Sequence, residues 1–189
     1  MCVNPCFVEL AEIKLAKTDV RVCTVIGFPL GTASTQTKVF EAKTALELGA
    51  DELDMVINIG WLKESRLDRI RNEIEGITDA AREASLSGGG KKTVKAIIET
   101  CLLSDMEKVR ACKIAELAGA DFVKTSTGFG CGGATVHDVK LMRRTVGKRL
   151  GVKASGGIKT LKTALAMLEA GANRIGTSSG MEIVESIKE

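Results

Sequence analysis

With 189 residues, 44% of them hydrophobic and only two prolines, the chain can bury one sizeable core and reads as a single domain over residues 1–189. A formal net charge of +3, 3% aromatic residues and no tyrosine exclude the basic patch and stacking platform of a nucleic-acid binder. No apolar run approaches a membrane span, and the start shows no signal-peptide pattern. The six cysteines lack a CxxC or paired framework, which predicts free thiols in a reducing cytoplasm.

Met1-Cys-Val-Asn4 reads as the end of a strand. Pro5 suits the first turn of a helix capped by Asn4, with Phe7, Leu10, Ile13 and Leu15 as its apolar stripe. The β-branched run at residues 20–26 predicts a strand, broken by Gly27-Phe-Pro-Leu-Gly31. A helix over 35–48 ends at Gly49. Residues 51–57 predict a strand carrying Asp54, and residues 65–86 one long helix with Ser65 and Asp68 at its start. Ser87-Gly-Gly-Gly90 is a turn and no domain linker, because the same pattern resumes in a strand over 93–99 that contains Lys95. Ser104-Asp-Met-Glu107 is a capping box opening a helix to Leu117. A strand ending in Lys124, a helix over 135–149, a strand carrying Lys153, a helix over 161–170, a strand over 173–176 and a helix over 181–188 complete the series.

Leu48-Gly-Ala-Asp51, Ala118-Gly-Ala-Asp121 and Ala170-Gly-Ala-Asn173 repeat one short αβ turn. Strands separated by helices imply parallel pairing with right-handed crossovers. An open doubly wound sheet fits the alternation too, but no G-x-G-x-x-G follows the early strands. Charged residues at the C-terminal ends of several strands point instead to a TIM (β/α)8 barrel. Seven of the eight β/α units are countable, so the remaining strand is expected before Met1. The strands around Val3 and Ile175 are then expected to be open edges prone to self-association.

Two apolar strands end in lysine followed by small residues: Asp121-Phe-Val-Lys-Thr-Ser-Thr-Gly128 and Gly151-Val-Lys-Ala-Ser-Gly-Gly157. A lysine there either snorkels to solvent or serves as a free amine that attacks a carbonyl. If the strands are neighbours, ammonium groups ~5 Å apart repel by roughly 3 kcal/mol at an effective dielectric near 20. That is enough to bring one amine towards neutrality. Asp54, inside an apolar strand, needs a lysine partner, in a proton-moving pair or a plain ion pair. Lys95 and Glu99 lie on a strand that should face the same interior. Ser155-Gly-Gly157 and Gly176-Thr-Ser-Ser-Gly180 follow the last two strands, where barrels cradle phosphate on backbone N–H groups. Gly130-Cys-Gly-Gly133 reads as a mobile loop over the site, and His137, the one histidine, as a surface residue, so a metal centre has no ligand set.

Phe122-Val-Lys-Thr-Ser-Thr-Gly-Phe129, with Gly132-Gly-Ala-Thr135, resembles the Schiff-base motif of deoxyribose-phosphate aldolases. Val22-Cys-Thr-Val-Ile-Gly-Phe-Pro-Leu-Gly31, Glu52-Leu-Asp-Met-Val-Ile-Asn58, Lys95-Ala-Ile-Ile-Glu-Thr100, Val152-Lys-Ala-Ser-Gly-Gly-Ile158 and Arg174-Ile-Gly-Thr-Ser-Ser179 resemble that family's other blocks in order. The resemblance implies a class I aldolase, without metal or cofactor, cleaving 2-deoxy-D-ribose 5-phosphate to acetaldehyde and D-glyceraldehyde 3-phosphate. It implies Lys124 as the Schiff-base lysine, Lys153 as the neighbouring cation and Asp54 as proton carrier. Gly156, Gly157, Gly176, Ser178 and Ser179 would hold phosphate, with Cys2, Thr125 and Gly128 also at the substrate. Partners would be phosphorylated sugars and aldehydes, and the chain a possible homo-oligomer. Family members begin with a helix and an acidic first strand that have no counterpart here. Another Schiff-base aldolase or transaldolase, or a silent homologue that acts as a binding partner, stays open beside this reading.

Overall fold

A computed structural model describes residues 1–187 and realises the predicted alternation. β1 (Cys2–Val3) leads through a 3-10 turn (Pro5–Phe7) to α1 (Val8–Leu15), β2 (Cys23–Ile26), α2 (Thr35–Glu47) and β3 (Glu52–Val56). Next come α3 (Ile59–Lys63), α4 (Leu67–Ala84), β4 (Thr93–Ile97), a 3-10 turn (Thr100–Leu102) and α5 (Asp105–Leu117). β5 (Phe122–Lys124), α6 (Val136–Val146), β6 (Gly151–Ser155), α7 (Leu161–Glu169), β7 (Arg174–Gly176) and α8 (Gly180–Glu185) follow. The strands pair in parallel in sequence order, with β1 and β7 at the two ends of the sheet among the described residues. No described helix is long and apolar enough to cross a membrane.

The sheet is curled. β3 and β7 are four strand spacings apart, about 19 Å in a flat sheet. Yet Arg174 on β7 places Nη1 2.7 Å from Glu52 Oε2 on β3, which requires both side chains to meet inside a concave face. The result is seven units of a (β/α) barrel. On the outer face Leu53, Met55, Val94, Ala96, Val123, Val152 and Ala154 are buried beneath the helices. Burial on both faces is why these strands read as near-continuous apolar runs.

The three repeated turns do one job three times. Gly49, Gly119 and Gly171 adopt φ of +103°, +79° and +109°, which a side chain disfavours. The alanine after each returns its N–H to the helix, at Ala45, Ala115 and Met167. The polar residue then clamps the preceding strand's start. Asp51, Asp121 and Asn173 accept the N–H of Val22, Val94 and Val152 on their side chains, at 3.0, 2.9 and 3.0 Å. Their own N–H groups donate to the carbonyls of those same three residues. Asp121→Ala would leave the buried Val94 N–H unpaired, at a cost of ~1–3 kcal/mol. A melting temperature lower by roughly 5 °C is expected; an unchanged value would show the clamp to be dispensable.

Several local readings differ from the structure. Residues 20–22 lie outside β2, because Val22 bonds to Asp51 instead of joining a ladder. The predicted helix over 65–86 is α4, from Leu67 to Ala84, and a separate short helix, α3, precedes it. Asn58 caps α3 through the Trp61 N–H, while Ser65, at φ +56°, lies between the two helices and caps neither. Asn4 makes no side-chain cap, and Phe7, Leu10 and Ile13 are exposed while Val8 and Ala11 face the core. Both stripes have helical spacing, so period alone could not choose between them. The last helix ends at Glu185, and Lys188, its predicted end, lies outside the described residues.

Candidate active site

Successive residues of a strand point to opposite faces, so register decides who meets on the concave side. Asp54 pairs in register with Lys95 across β3 and β4, and Lys124 with Lys153 across β5 and β6. The curl then closes the distance between the two pairs. Asp54 Oδ2 lies 2.7 Å from Lys124 Nζ and 2.7 Å from Lys153 Nζ, while Oδ1 lies 2.8 Å from Lys95 Nζ. Asp54 and Lys95 are fully buried, and Lys124 and Lys153 are 5% and 8% exposed. The lysines are therefore not surface residues at strand ends. The sequence reading set the two ammonium groups against each other directly. Here a carboxylate stands between them and offsets much of that repulsion.

Burial alone would push the Asp54 carboxyl up, but Lys124, Lys153 and Lys95 outweigh it and hold the carboxyl far below the usual range. Lys95 is also 2.6 Å from Glu52 Oε2, and Glu52 meets Arg174. Burial raises the Glu52 carboxyl, and hydrogen bonds from Arg174 and Lys95 bring it below its ordinary value. The Cys23 thiol donates to Asp54 Oδ1 at 3.2 Å. The neighbouring Cys23 thiol, helped by the Lys153 and Lys124 charges, brings the Cys2 thiol down to about 6 against the effect of burial and of Asp54.

Above these charges opens a cavity of about 460 Å³. Cys2, Lys124, Gly128, Lys153, Gly156, Gly157, Gly176 and Ser178, all singled out from the sequence, line it. A Cβ at Gly176 would overlap Ser155 Oγ, so that glycine lets β7 close onto β6. Gly156 and Gly157 have φ of +89° and +75°, which turns the backbone of this loop at the cavity wall.

Two expected substrate residues are placed otherwise. Thr125 is fully buried, donating its hydroxyl to Ser155 O at 3.0 Å and accepting the Ser155 N–H at 3.0 Å. It ties the ends of β5 and β6 together and does not reach the cavity. Ser179 lies outside the lining, its N–H donated to Thr177 Oγ1. The Gly130–Gly133 segment, read as a mobile loop over the site, packs closely against its neighbours at its C-terminal end. Ala134 N–H donates to Gly156 O, and a Cβ at Gly132 would sit 2.9 Å from Cys101 Cβ. His137 is on the surface as expected, paired with Asp105 at 2.7 Å.

Sequence reasoning missed Lys159 and Phe129 as lining residues and the Glu52–Arg174 pair beneath. Lys159, two residues after Gly157, was the one with a signal: a cation beside a glycine loop. A second apolar groove of about 530 Å³, along Leu30, Phe40 and Leu48, is larger but contains none of these lysines. The charges, not the volume, locate the site.

An interior lysine hydrogen-bonded to a carboxylate beneath a glycine-walled cavity is the equipment of a carbonyl-attacking amine. Residues 1–186 match the family model described as DeoC/LacD family aldolase, and the chain belongs to that family. It is 60% identical to the deoxyribose-phosphate aldolase of Thermococcus gammatolerans over 190 residues, covering 100% of this chain and 82% of that one. It is 58% identical to that of Enterococcus faecalis over 184 residues, covering 97% and 80%. Among solved structures, the tetrameric deoxyribose phosphate aldolase from Aeropyrum pernix superposes with a TM-score of 0.87 at 35% identity, covering 100% of this chain and 76% of that one.

Proposed function

We propose that this chain is a Schiff-base aldolase that reversibly cleaves 2-deoxy-D-ribose 5-phosphate to acetaldehyde and D-glyceraldehyde 3-phosphate. The observation that carries the reading is Asp54 Oδ2 lying 2.7 Å from both Lys124 Nζ and Lys153 Nζ at the base of the cavity. Lys124 attacks the substrate's aldehyde carbon as the free amine, its extra proton leaving along the Asp54–Lys153 chain. Loss of water from the carbinolamine leaves an iminium. Breaking C2–C3 sends the bonding electrons into that iminium and forms an enamine, while the C3 hydroxyl gives up its proton and becomes the aldehyde of the departing three-carbon phosphate. Protonation of the enamine and addition of water then release acetaldehyde and restore Lys124. Asp54 and Lys153, hydrogen-bonded to each other, carry protons in both halves.

The phosphate is assigned to Gly156, Gly157, Gly176 and Ser178, which line the cavity together with Lys159 and would offer backbone N–H groups, a hydroxyl and a cation. The reading includes a single cytoplasmic domain acting on small phosphorylated sugars and aldehydes. Assembly into a homo-oligomer is supported by the tetrameric Aeropyrum relative. Turnover of deoxyribose 5-phosphate and of free deoxyribose by Ser178→Ala and Gly157→Ala tests the substrate. Each variant is expected to lose roughly tenfold or more in kcat/KM for the phosphorylated sugar. For the free sugar it should stay within about twofold. Equal losses for both sugars would argue against the cradle, and no turnover of either by the unaltered chain would overturn the reading.

A further inference from the structure

Glu99 follows β4 with its carboxylate turned inward, 4% exposed, and the chemistry above makes no use of it. Its backbone lies at φ +49°, ψ +67°, the left-handed region that glycine or asparagine commonly fills. Neighbours on both sides impose this. Ile98 N–H donates to Lys124 O at 3.0 Å and Thr100 N–H to Thr125 O at 2.9 Å, so the chain is stitched to β5 before and after Glu99. The side chain is thereby aimed at the segment that follows Lys124.

There it does one thing. The Thr127 N–H lies 3.4 and 3.2 Å from the two carboxylate oxygens, and the Thr127 hydroxyl donates to Oε2 at 2.5 Å. Thr127 Oγ1 in turn accepts the Phe129 N–H at 3.1 Å, and the Phe129 ring meets Phe28 edge-on, centroids 5.2 Å apart. Thr127 and Phe129 line the cavity beside Lys124. No cation pairs with Glu99 among the described residues, so its charge rests on these donors and on the Cys101 thiol at 3.8 Å. A buried carboxylate held in a strained conformation to serve one loop is more than a core residue requires.

We propose that Glu99 is a positioning residue for the reaction, seating Thr127 and Phe129 so that the cavity rim beside Lys124 keeps its shape when substrate enters. The proposal rests on the aldolase reading above and adds a residue that acts on the substrate only through others.

Glu99→Gly removes the carboxylate and relieves the positive φ, Thr127→Val breaks the relay, and Glu99→Gln keeps one acceptor oxygen facing Thr127. For Glu99→Gly and Thr127→Val, each checked for folding by circular dichroism, amide hydrogen exchange across residues 125–130 is expected to quicken. KM for deoxyribose 5-phosphate should rise about tenfold with kcat changing far less. Glu99→Gln should recover most of the loss. A purely structural role would lower the active fraction, hence kcat, and leave KM in place; that result overturns the proposal, as does unchanged exchange in the Glu99→Gly variant. A wild-type chain without turnover overturns the aldolase reading and the catalytic part of this proposal with it. Unchanged exchange or KM in variants of an active wild type defeats the Glu99 proposal alone.

Discussion

Lys124→Ala is expected to abolish the borohydride-stable adduct that the unaltered chain forms with acetaldehyde, and to lower turnover by roughly four orders of magnitude or more. Among the described residues Lys124, Lys153 and Lys95 reach Asp54 with their amines, and of these Lys95 is fully buried. Both Lys124 and Lys153 line the cavity, so geometry alone permits either to be the nucleophile. The resemblance of the segment around Lys124 to the family's Schiff-base motif favours Lys124. Peptide mapping after reduction should therefore find the N-ethyl increment on Lys124. An adduct on Lys153 with Lys124 unmodified would reverse the two roles. Alanine at 124 leaves Asp54 with two cations, so the variant is expected to stay folded, and its inactivity will report chemistry.

Asp54→Ala should have the larger effect on stability. It strips the common partner from three interior ammonium groups, and removing one member of a buried pair costs about 3–5 kcal/mol. For a chain of this length that is a fall of roughly 10 °C or more in melting temperature. Asp54→Asn keeps the shape but not the charge, and its adduct formation should slow by about 10²–10⁴-fold. The acid limb of stability follows from the direction of the Asp54 shift. The lysines hold its carboxyl below the unfolded value, so its stabilisation is complete above pH ~5 and is lost as the pH falls through ~4 and below. The unaltered chain should thus lose stability on acidification from about pH 5, and Asp54→Asn should flatten that limb. A variant as acid-sensitive as the wild type, with an unchanged melting temperature, would show that Asp54 is not the hub of this cluster.

Much of the site was readable because it depends on short-range rules. The order of strands and helices follows from the period of apolar residues. The three Gly-Ala turns were visible as repeats, and φ values between +79° and +109° explain their glycines. Lysines at the ends of apolar strands stood out because a cation is expensive to bury there and must snorkel to solvent or serve as a free amine. Local spacing could not, however, choose which of two equally spaced stripes on α1 faces the core. Nor could it tell that Thr125 ties two strands together while Thr127, two residues on, answers to Glu99.

The remaining decisions belong to the curvature of the sheet. Asp54 meets Lys124 and Lys153 across 70 and 99 residues of chain, and Glu52 meets Arg174 across 122. Lys38 and Glu73, fully buried between α2 and α4, brace the end of β3 through Val56 O and the Asn58 N–H. Sequence alone established that Asp54 needed a partner, since burying an unpaired charge is too costly to tolerate, and it gave no sign of the Glu52–Arg174 or Lys38–Glu73 pairs. Which charge faces which was decided only when the sheet curled, because hydrogen-bond geometry depends on ångström separations that no spacing along the chain encodes.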